Sequence, residues 1–295
     1  MNPIRLLAAA VLLVVAGQAM AGPAGCGAAE FRAMTYNIRL DTPADGENRW
    51  AMRRDLLFGQ IRLLKPAVLG MQEVLPGQRA DLVAALPGYQ VLGGGRDGAR
   101  EGGEASPLLV DRLVFRVVSV GMFWLSPTPD RPSRGWDAAY PRIATWAHLV
   151  RRSDGRRLLA VNTHWDHVGL QARLNGALQL TGWIAAHRRE DEAVLVLGDF
   201  NAVLSEPSLQ TLLSAGLRDA QAAAIEPVTG PAATFNGWTM IPDKAEAIDH
   251  ILVGKTLAVR RYQVLAQHFD GRLASDHFPV IADLIFDAPG TCGGN

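Results

Sequence analysis

Leu195-Val196-Leu197-Gly198-Asp199-Phe200-Asn201 is the stretch on which the reading of this chain turns. Ala193 to Leu197 is uninterrupted apolar sequence with two valines, the pattern of a short strand buried on both faces. The run stops at a glycine, and a carboxylate and an amide follow at once. An acid just beyond a buried strand is held rigidly by the scaffold and still opens into a cleft. Taken alone, Asp199 and Asn201 also fit a helix cap or an Asx turn. Recurrence elsewhere favours the cleft.

The same grammar returns along the chain. Phe31 to Ile38 reads as a strand with Asn37 near its end, and Ala67 to Met71 delivers Gln72-Glu73. Leu158 to Asn162 presents Thr163-His164-Trp165-Asp166-His167, Ile248 to Val253 carries Asp249, and Ser275-Asp276-His277 precedes a last strand, Pro279 to Phe286. Further strands are expected at Tyr89 to Leu92, Leu108 to Val110, Leu113 to Val120, Ile143 to Val150 and Val259 to His268, with a hairpin turn at Ser153-Asp154-Gly155. Helices are expected over Trp50 to Leu64, Gln78 to Leu86, Val168 to Arg188 and from about Pro207. In the first, Leu57, Ile61 and Leu64 form one stripe and arginines stand opposite. Residues 121 to 141, with four prolines, are expected to be a loop, as is Ala222 to Trp238. Gly93 to Gly103 is a glycine-rich loop over the site. It is not a phosphate-cradling nucleotide loop, because no Gly-Lys-Ser/Thr follows. Strands with helices between them, and no repeat or linker, indicate one α/β domain over residues 22–295.

Residues 1–21 read as an export signal. Arg5 is the sole charge, Leu6 to Ala16 is apolar, and Ala19-Met20-Ala21 is a small-x-small cleavage site. A retained N-terminal anchor is the alternative. The expected location is periplasmic or secreted. Cys26 and Cys292 are then either a disulfide tying the termini or two free thiols. The 29 basic and 29 acidic residues balance, which argues against non-specific binding of a long duplex. A monomer without a stable protein partner is expected.

Asn37, Glu73, Glu104, His164, Asp199, Asn201, Asp249, Asp276 and His277 make a set rich in hard oxygen ligands, which suits Mg²⁺ or Mn²⁺ better than zinc. Histidines beside carboxylates supply general acid–base catalysis or a donor to a charged transition state. The set fits metal-assisted attack of water on a phosphoester.

Six motifs carry a resemblance: Met34-Thr35-Tyr36-Asn37-Ile38, Gln72-Glu73, Asn162-Thr163-His164, Gly198-Asp199-Phe200-Asn201, Ile248-Asp249-His250-Ile251 and Ser275-Asp276-His277-Phe278-Pro279-Val280. In this order the chain resembles the endonuclease/exonuclease/phosphatase (DNase I-like) superfamily from about Arg32 to Leu284. Asp45-Gly46-Glu47-Asn48, Phe123-Trp124-Leu125-Ser126 and Pro141-Arg142-Ile143-Ala144-Thr145-Trp146 are similar to a bacterial branch whose substrates are mostly unassigned. The resemblance implies a four-layer α/β/β/α sandwich of two mixed sheets flanked by helices. It implies Glu73 as principal metal ligand with Asn37 and Asp276 beside it. Asp199 would orient or deprotonate water, Asn201 would position phosphate, and His277, held by Asp249, would stabilise pentacoordinate phosphorus. His164 matches the second histidine of the secreted nuclease and sphingomyelinase branches; Glu104 would orient it, and Arg142 would bind phosphate. His167 and His250 are read as neighbours facing away from the cleft or supporting it from behind. Trp136 and Trp238 are read as packing rather than as stacking platforms. An exported nuclease or other phosphodiesterase is expected first, and a phosphatase or phospholipase C-like hydrolase of small or lipid phosphoesters second. A non-catalytic binding module on the same fold is third.

Overall fold

Residues 30–98, 102–242 and 246–286 are described by a computed structural model; the expected signal segment, Cys26 and Cys292 lie outside the described residues. Two sheets of six strands form the centre. The first joins β1 (Glu30–Asn37), β2 (Val68–Gln72), β3 (Tyr89–Leu92), β4 (Leu108–Asp111), β11 (Leu257–Val264) and β12 (Val280–Phe286) in the order β11-β12-β1-β2-β4-β3. The second joins β5 (Phe115–Trp124), β6 (Ile143–Arg151), β7 (Arg157–His164), β8 (Glu192–Asp199), β9 (Arg218–Asp219) and β10 (Asp249–Val253) in the order β5-β6-β7-β8-β10-β9. β1 runs parallel to β2, and β7 runs parallel to β8; their other neighbours are antiparallel.

The strands alternate between two apolar layers. Ala33, Val68, Leu158, Ala160, Leu195 and Leu197 meet in the core between the sheets. Met34, Tyr36, Leu69 and Met71 point outward under α1 (Trp50–Leu64) and α2 (Pro76–Ala85). Val161, Val194 and Val196 point outward under α3 (Leu170–His187) and α4 (Pro207–Ser214). The four layers of the α/β/β/α sandwich follow directly from central strands that are apolar on both faces.

A buried polar link crosses the inter-sheet core near the end where Asn37, His164 and Asp199 close their strands. Asn162 of β7 donates to the carbonyls of Met71 and Pro107 at 2.7 and 2.9 Å and accepts from Gln72 Nε2 at 2.7 Å. Gly70 of β2 makes room for it, since a Cβ there would lie 2.5 Å from Asn162 Oδ1.

Two expectations change. β5 continues through Gly121 to Trp124, where a loop was expected, because the Trp146 ring occupies the space a Cβ would need at Gly121. Here the glycine marks close packing rather than a break. In α1, Arg53 is not on a solvated face; it is 2 % exposed. Its guanidinium donates to the carbonyls of Ile38, Arg39, Asn48 and Ala274, with the rings of Trp50 and Trp238 5.2 and 5.3 Å away. The hairpin turn, the remaining helices and the other strands form as expected, with ends shifted by a few residues.

Candidate active site

Strand register brings the polar termini to one end of both sheets. Asn37 is opposite Gln72, so Glu73 emerges beside it. His164 and Asp249 both lie opposite Asp199, on either side of β8. The segment before β12 carries Asp276 and His277 to the same place. Glu73, Glu104, Arg142, His164, Asp199, Asn201, Asp276 and His277 line one cleft of about 480 Å³, while Asn37 and Asp249 are wholly buried behind it. A larger cavity of about 590 Å³ lies at the opposite strand ends, among Ile184, Arg188, Glu192, Val194 and Lys255. None of the strand-end catalytic candidates reaches it, so size is no guide to the chemistry here.

Asn37 joins the sheets at the cleft floor. Its Nδ2 donates to Glu73 Oε1 at 3.0 Å and to Asp199 Oδ2 at 2.9 Å, and its Oδ1 accepts from Arg39 N–H at 3.0 Å. That last bond fixes the amide orientation. Asn37 therefore orients two carboxylates, and any hold it has on an ion falls to the second lone pair of Oδ1. Glu73 is held in a left-handed conformation, φ 62°, and its Oε2 accepts from Leu40 N–H at 3.0 Å. Non-glycine residues adopt that region where surrounding contacts over-determine it.

Two histidines flank Asp199. His277 Nε2 is 3.8 Å and His164 Nε2 is 3.6 Å from Asp199 Oδ2. Behind His277, Nδ1 bonds to Asp249 Oδ2 at 2.8 Å. Burial alone would lower the pKa of His277, but Asp249, Asp199 and Asp276 outweigh it and raise the pKa to about 10. Behind His164, Nδ1 is 3.3 Å from Glu104 Oε1 but off the line of a hydrogen bond, and it has no other partner among the described residues. Burial pushes the Glu104 pKa up; His164, Arg96 and Arg142 together bring it down to about 2. Asn201, at φ 48°, donates its backbone N–H to Asp199 Oδ1 at 2.9 Å and its Nδ2 to the Trp165 carbonyl at 3.0 Å.

Sequence reading missed two supports. Asp166, 2 % exposed, accepts from Arg142 Nε, from Tyr140 N–H and from the N–H groups of Val168 and Gly169. Burial raises its pKa, but these donors and the Arg142 charge hold it well below the usual carboxylate range. Its place between two histidines of one motif was the available signal. Arg53 has no sequence signal, since its hydrogen-bond partners are all carbonyls outside its own helix. One expectation is corrected: His167 lines the cleft, because the turn that Asp166 closes stacks its ring on Tyr140 at 6.0 Å and sets Nδ1 3.1 Å from Arg142 Nη2. His250 does face away and bonds the Ala202 carbonyl at 3.0 Å. Trp238 packs against the core, as expected, and Trp136 is 39 % exposed.

The carboxylates of the cleft suit a cation. Burial raises the pKa of Asp276, and the charge of Glu73 raises it further. Two carboxylates that repel each other in one cleft fit a divalent ion, which would relieve both desolvation and repulsion. Asp199, Asp249 and His277 also offer ligand atoms within 4.8 Å of one another. There, His277 Nδ1 and Asp249 Oδ2 are already bonded to each other at 2.8 Å, while Asp249 Oδ1 is buried without a hydrogen-bond partner among the described residues.

A family model described as the Endonuclease/Exonuclease/phosphatase family matches residues 34–277. The mannosyl-6-phosphatase Bt3783 of Bacteroides thetaiotaomicron VPI-5482 is similar in structure, with 32% identity, a TM-score of 0.83, and 87% of this chain and 100% of that chain covered. An endonuclease/exonuclease/phosphatase from Bacteroides vulgatus has 36% identity and a TM-score of 0.83, covering 88% and 99%. The uncharacterized protein L388 of Acanthamoeba polyphaga mimivirus is 24% identical over 163 residues, 52% of this chain, and the match spans 59% of that protein's length.

Proposed function

Because the chain belongs to the endonuclease/exonuclease/phosphatase family, we propose that it is a divalent-metal-dependent phosphoester hydrolase acting outside the cytoplasm. The carrying observation is Asp199 between two histidines, bonded by Asn37 and Asn201 and facing the carboxylates of Glu73 and Asp276. Glu73 and Asp276, with Asn37 beside them, would hold Mg²⁺ or Mn²⁺, which when bound supplies positive charge to the phosphate oxygens. Asp199 receives the proton of the attacking water. His277, kept protonated by Asp249, donates from Nε2 to a phosphoryl oxygen as charge builds on it. His164, backed by Glu104, donates on the other side of Asp199. Arg142 is held by Asp166 and Glu104 as part of the cleft wall.

Similarity to a mannosyl-6-phosphatase at 32% identity over 87% of the chain supports a small phosphoester, and a cleft of about 480 Å³ has room for one. Nucleic acid, placed first from sequence, is the second reading; the half-exposed Tyr140 at the cleft, with Trp136 exposed in the same loop, favours it, since exposed aromatics stack bases in single-strand binders. The test is a panel of sugar phosphates, chromogenic mono- and diesters, choline phospholipids and single-stranded DNA, run with Mn²⁺, with Mg²⁺ and with EDTA. Turnover of at least one ester that is lost in EDTA and in His277→Ala is expected. Turnover unchanged in both refutes the assignment.

A further inference from the structure

Arg39 sits two residues beyond β1 with φ 55°, a conformation side chains seldom adopt. Several contacts hold it there. Its N–H donates to Asn37 Oδ1 at 3.0 Å, and its carbonyl accepts from Arg53 Nη2 at 2.7 Å and from Gln78 Nε2 at 2.8 Å. The guanidinium is fixed as well. Nε and Nη2 donate to Asp45 Oδ2 and Oδ1 at 3.0 and 2.9 Å, and the Asp45 side chain is 5 % exposed.

This clamp uses one edge of the guanidinium. Nη1 has no hydrogen-bond partner among the described residues, so the end formed by Nη1 and Nη2 is free for a second paired contact. Arg39 lines the cleft and Asp45 does not, so the cation faces the cavity and its counter-charge lies behind. Arg39 Nε is 3.7 Å from Asp276 Oδ2. A fixed cation beside carboxylates that would hold a metal ion opposes binding of that ion alone. The arrangement becomes favourable when a strongly negative group enters with the ion and shares both charges.

A phosphomonoester meets that requirement. It carries nearly two negative charges at neutral pH, with a second ionisation at about 6, and offers three terminal oxygens. A diester carries one charge and has two such oxygens. A guanidinium with a free planar end is suited to paired phosphate oxygens. Resting on the phosphoester-hydrolase reading above, we propose that Arg39 is a substrate-binding residue that makes the cleft prefer terminal phosphomonoesters to diesters.

The experiment compares wild type, Arg39→Met and Arg39→Lys with Mn²⁺. It reads kcat and KM on 4-nitrophenyl phosphate and bis(4-nitrophenyl) phosphate, and the affinity for inorganic phosphate by calorimetry. Arg39→Met should lower kcat/KM on the monoester at least tenfold, mostly through KM, and on the diester less than threefold. Phosphate affinity should fall at least tenfold in Met and several-fold in Lys, which keeps the charge but not the paired geometry. Should Met fail to fold, Lys carries the test. Equal losses on the two esters, or phosphate affinity unchanged in the variants, overturns the proposal. A wild type that binds phosphate through Arg39 and turns over no ester of the wider panel overturns the hydrolase reading and leaves the phosphate-binding role of Arg39 standing.

Discussion

Asn162→Ala is the substitution that tests how the cleft is held together. Asn162 is 0 % exposed and reaches from β7 to the other sheet through three bonds, to the Met71 and Pro107 carbonyls and from Gln72 Nε2. Alanine removes all three. Two groups keep a partner: Gln72 Nε2 still donates to Thr35 Oγ1 at 3.1 Å, and the Pro107 carbonyl still accepts from Met71 N–H at 3.0 Å. A buried polar group left unpaired costs about 1–3 kcal/mol, so after that discount the loss is about 2–4 kcal/mol. For a domain of this size each kcal/mol lowers Tm by about 2–4 °C, giving a fall of about 5–15 °C. Thermal melts followed by circular dichroism measure it. Asn162→Asp should be at least as damaging, because a carboxylate would face two carbonyl oxygens. The alanine variant should also lose kcat well below its Tm, since Gln72 adjoins Glu73 and Asn162 is two residues before His164. A Tm lowered by less than about 3 °C would refute the link as a source of stability, by the same per-kcal/mol scale.

Asp249→Asn should keep the fold and lower kcat by about 10²–10⁴-fold with little change in KM, the scale seen when a histidine loses its orienting carboxylate; steady-state kinetics with a threefold change or less would refute it. Glu104 should tie stability to acid pH. Its folded pKa of about 2 lies below the unsupported value of 4.5, so its contribution is complete above 4.5 and is lost as pH falls toward 2. Urea unfolding at pH 6 and pH 3 should show Glu104→Gln less pH-dependent than wild type by about 2 kcal/mol, and identical slopes would count against the charge cluster.

Much of this was legible because the chemistry sits at strand ends. Buried strands announce themselves as largely apolar runs, and polar residues gathered at the end of such a run are conspicuous: Asn37, Glu73, His164 and Asp199 all show this way. Register then does the assembly, setting His164 and Asp249 on either side of Asp199. The supports were hidden for a different reason. Arg53 looks like a solvated helix arginine because nothing in its own helix reveals that the chain near residues 38, 48 and 274 closes over it. Gly121 looks like a break because its neighbour in space, Trp146, lies on the next strand. In both cases the deciding partner is remote in sequence, and single-chain periodicity carries no trace of it.

The two histidines show how like residues come to have unlike work. Both place Nε2 near Asp199 Oδ2, at 3.8 and 3.6 Å. His277 has a carboxylate to itself, because Asp249 makes its 2.8 Å bond to Nδ1 and has no cation beside it among the described residues. Glu104 is shared: Arg96 is 3.2 Å away, Arg142 3.8 Å, and the His164 Nδ1 contact is off-line. A carboxylate divided among two guanidiniums holds a neighbouring ring less firmly than one bonded to that ring alone. His277 is therefore the fixed donor of the pair. His164, whose Nδ1 lies off the line of a hydrogen bond to Glu104, is the less firmly oriented of the two. That asymmetry ties the charge on the Arg96–Glu104–Arg142 wall to the chemistry at Asp199, although neither arginine touches it.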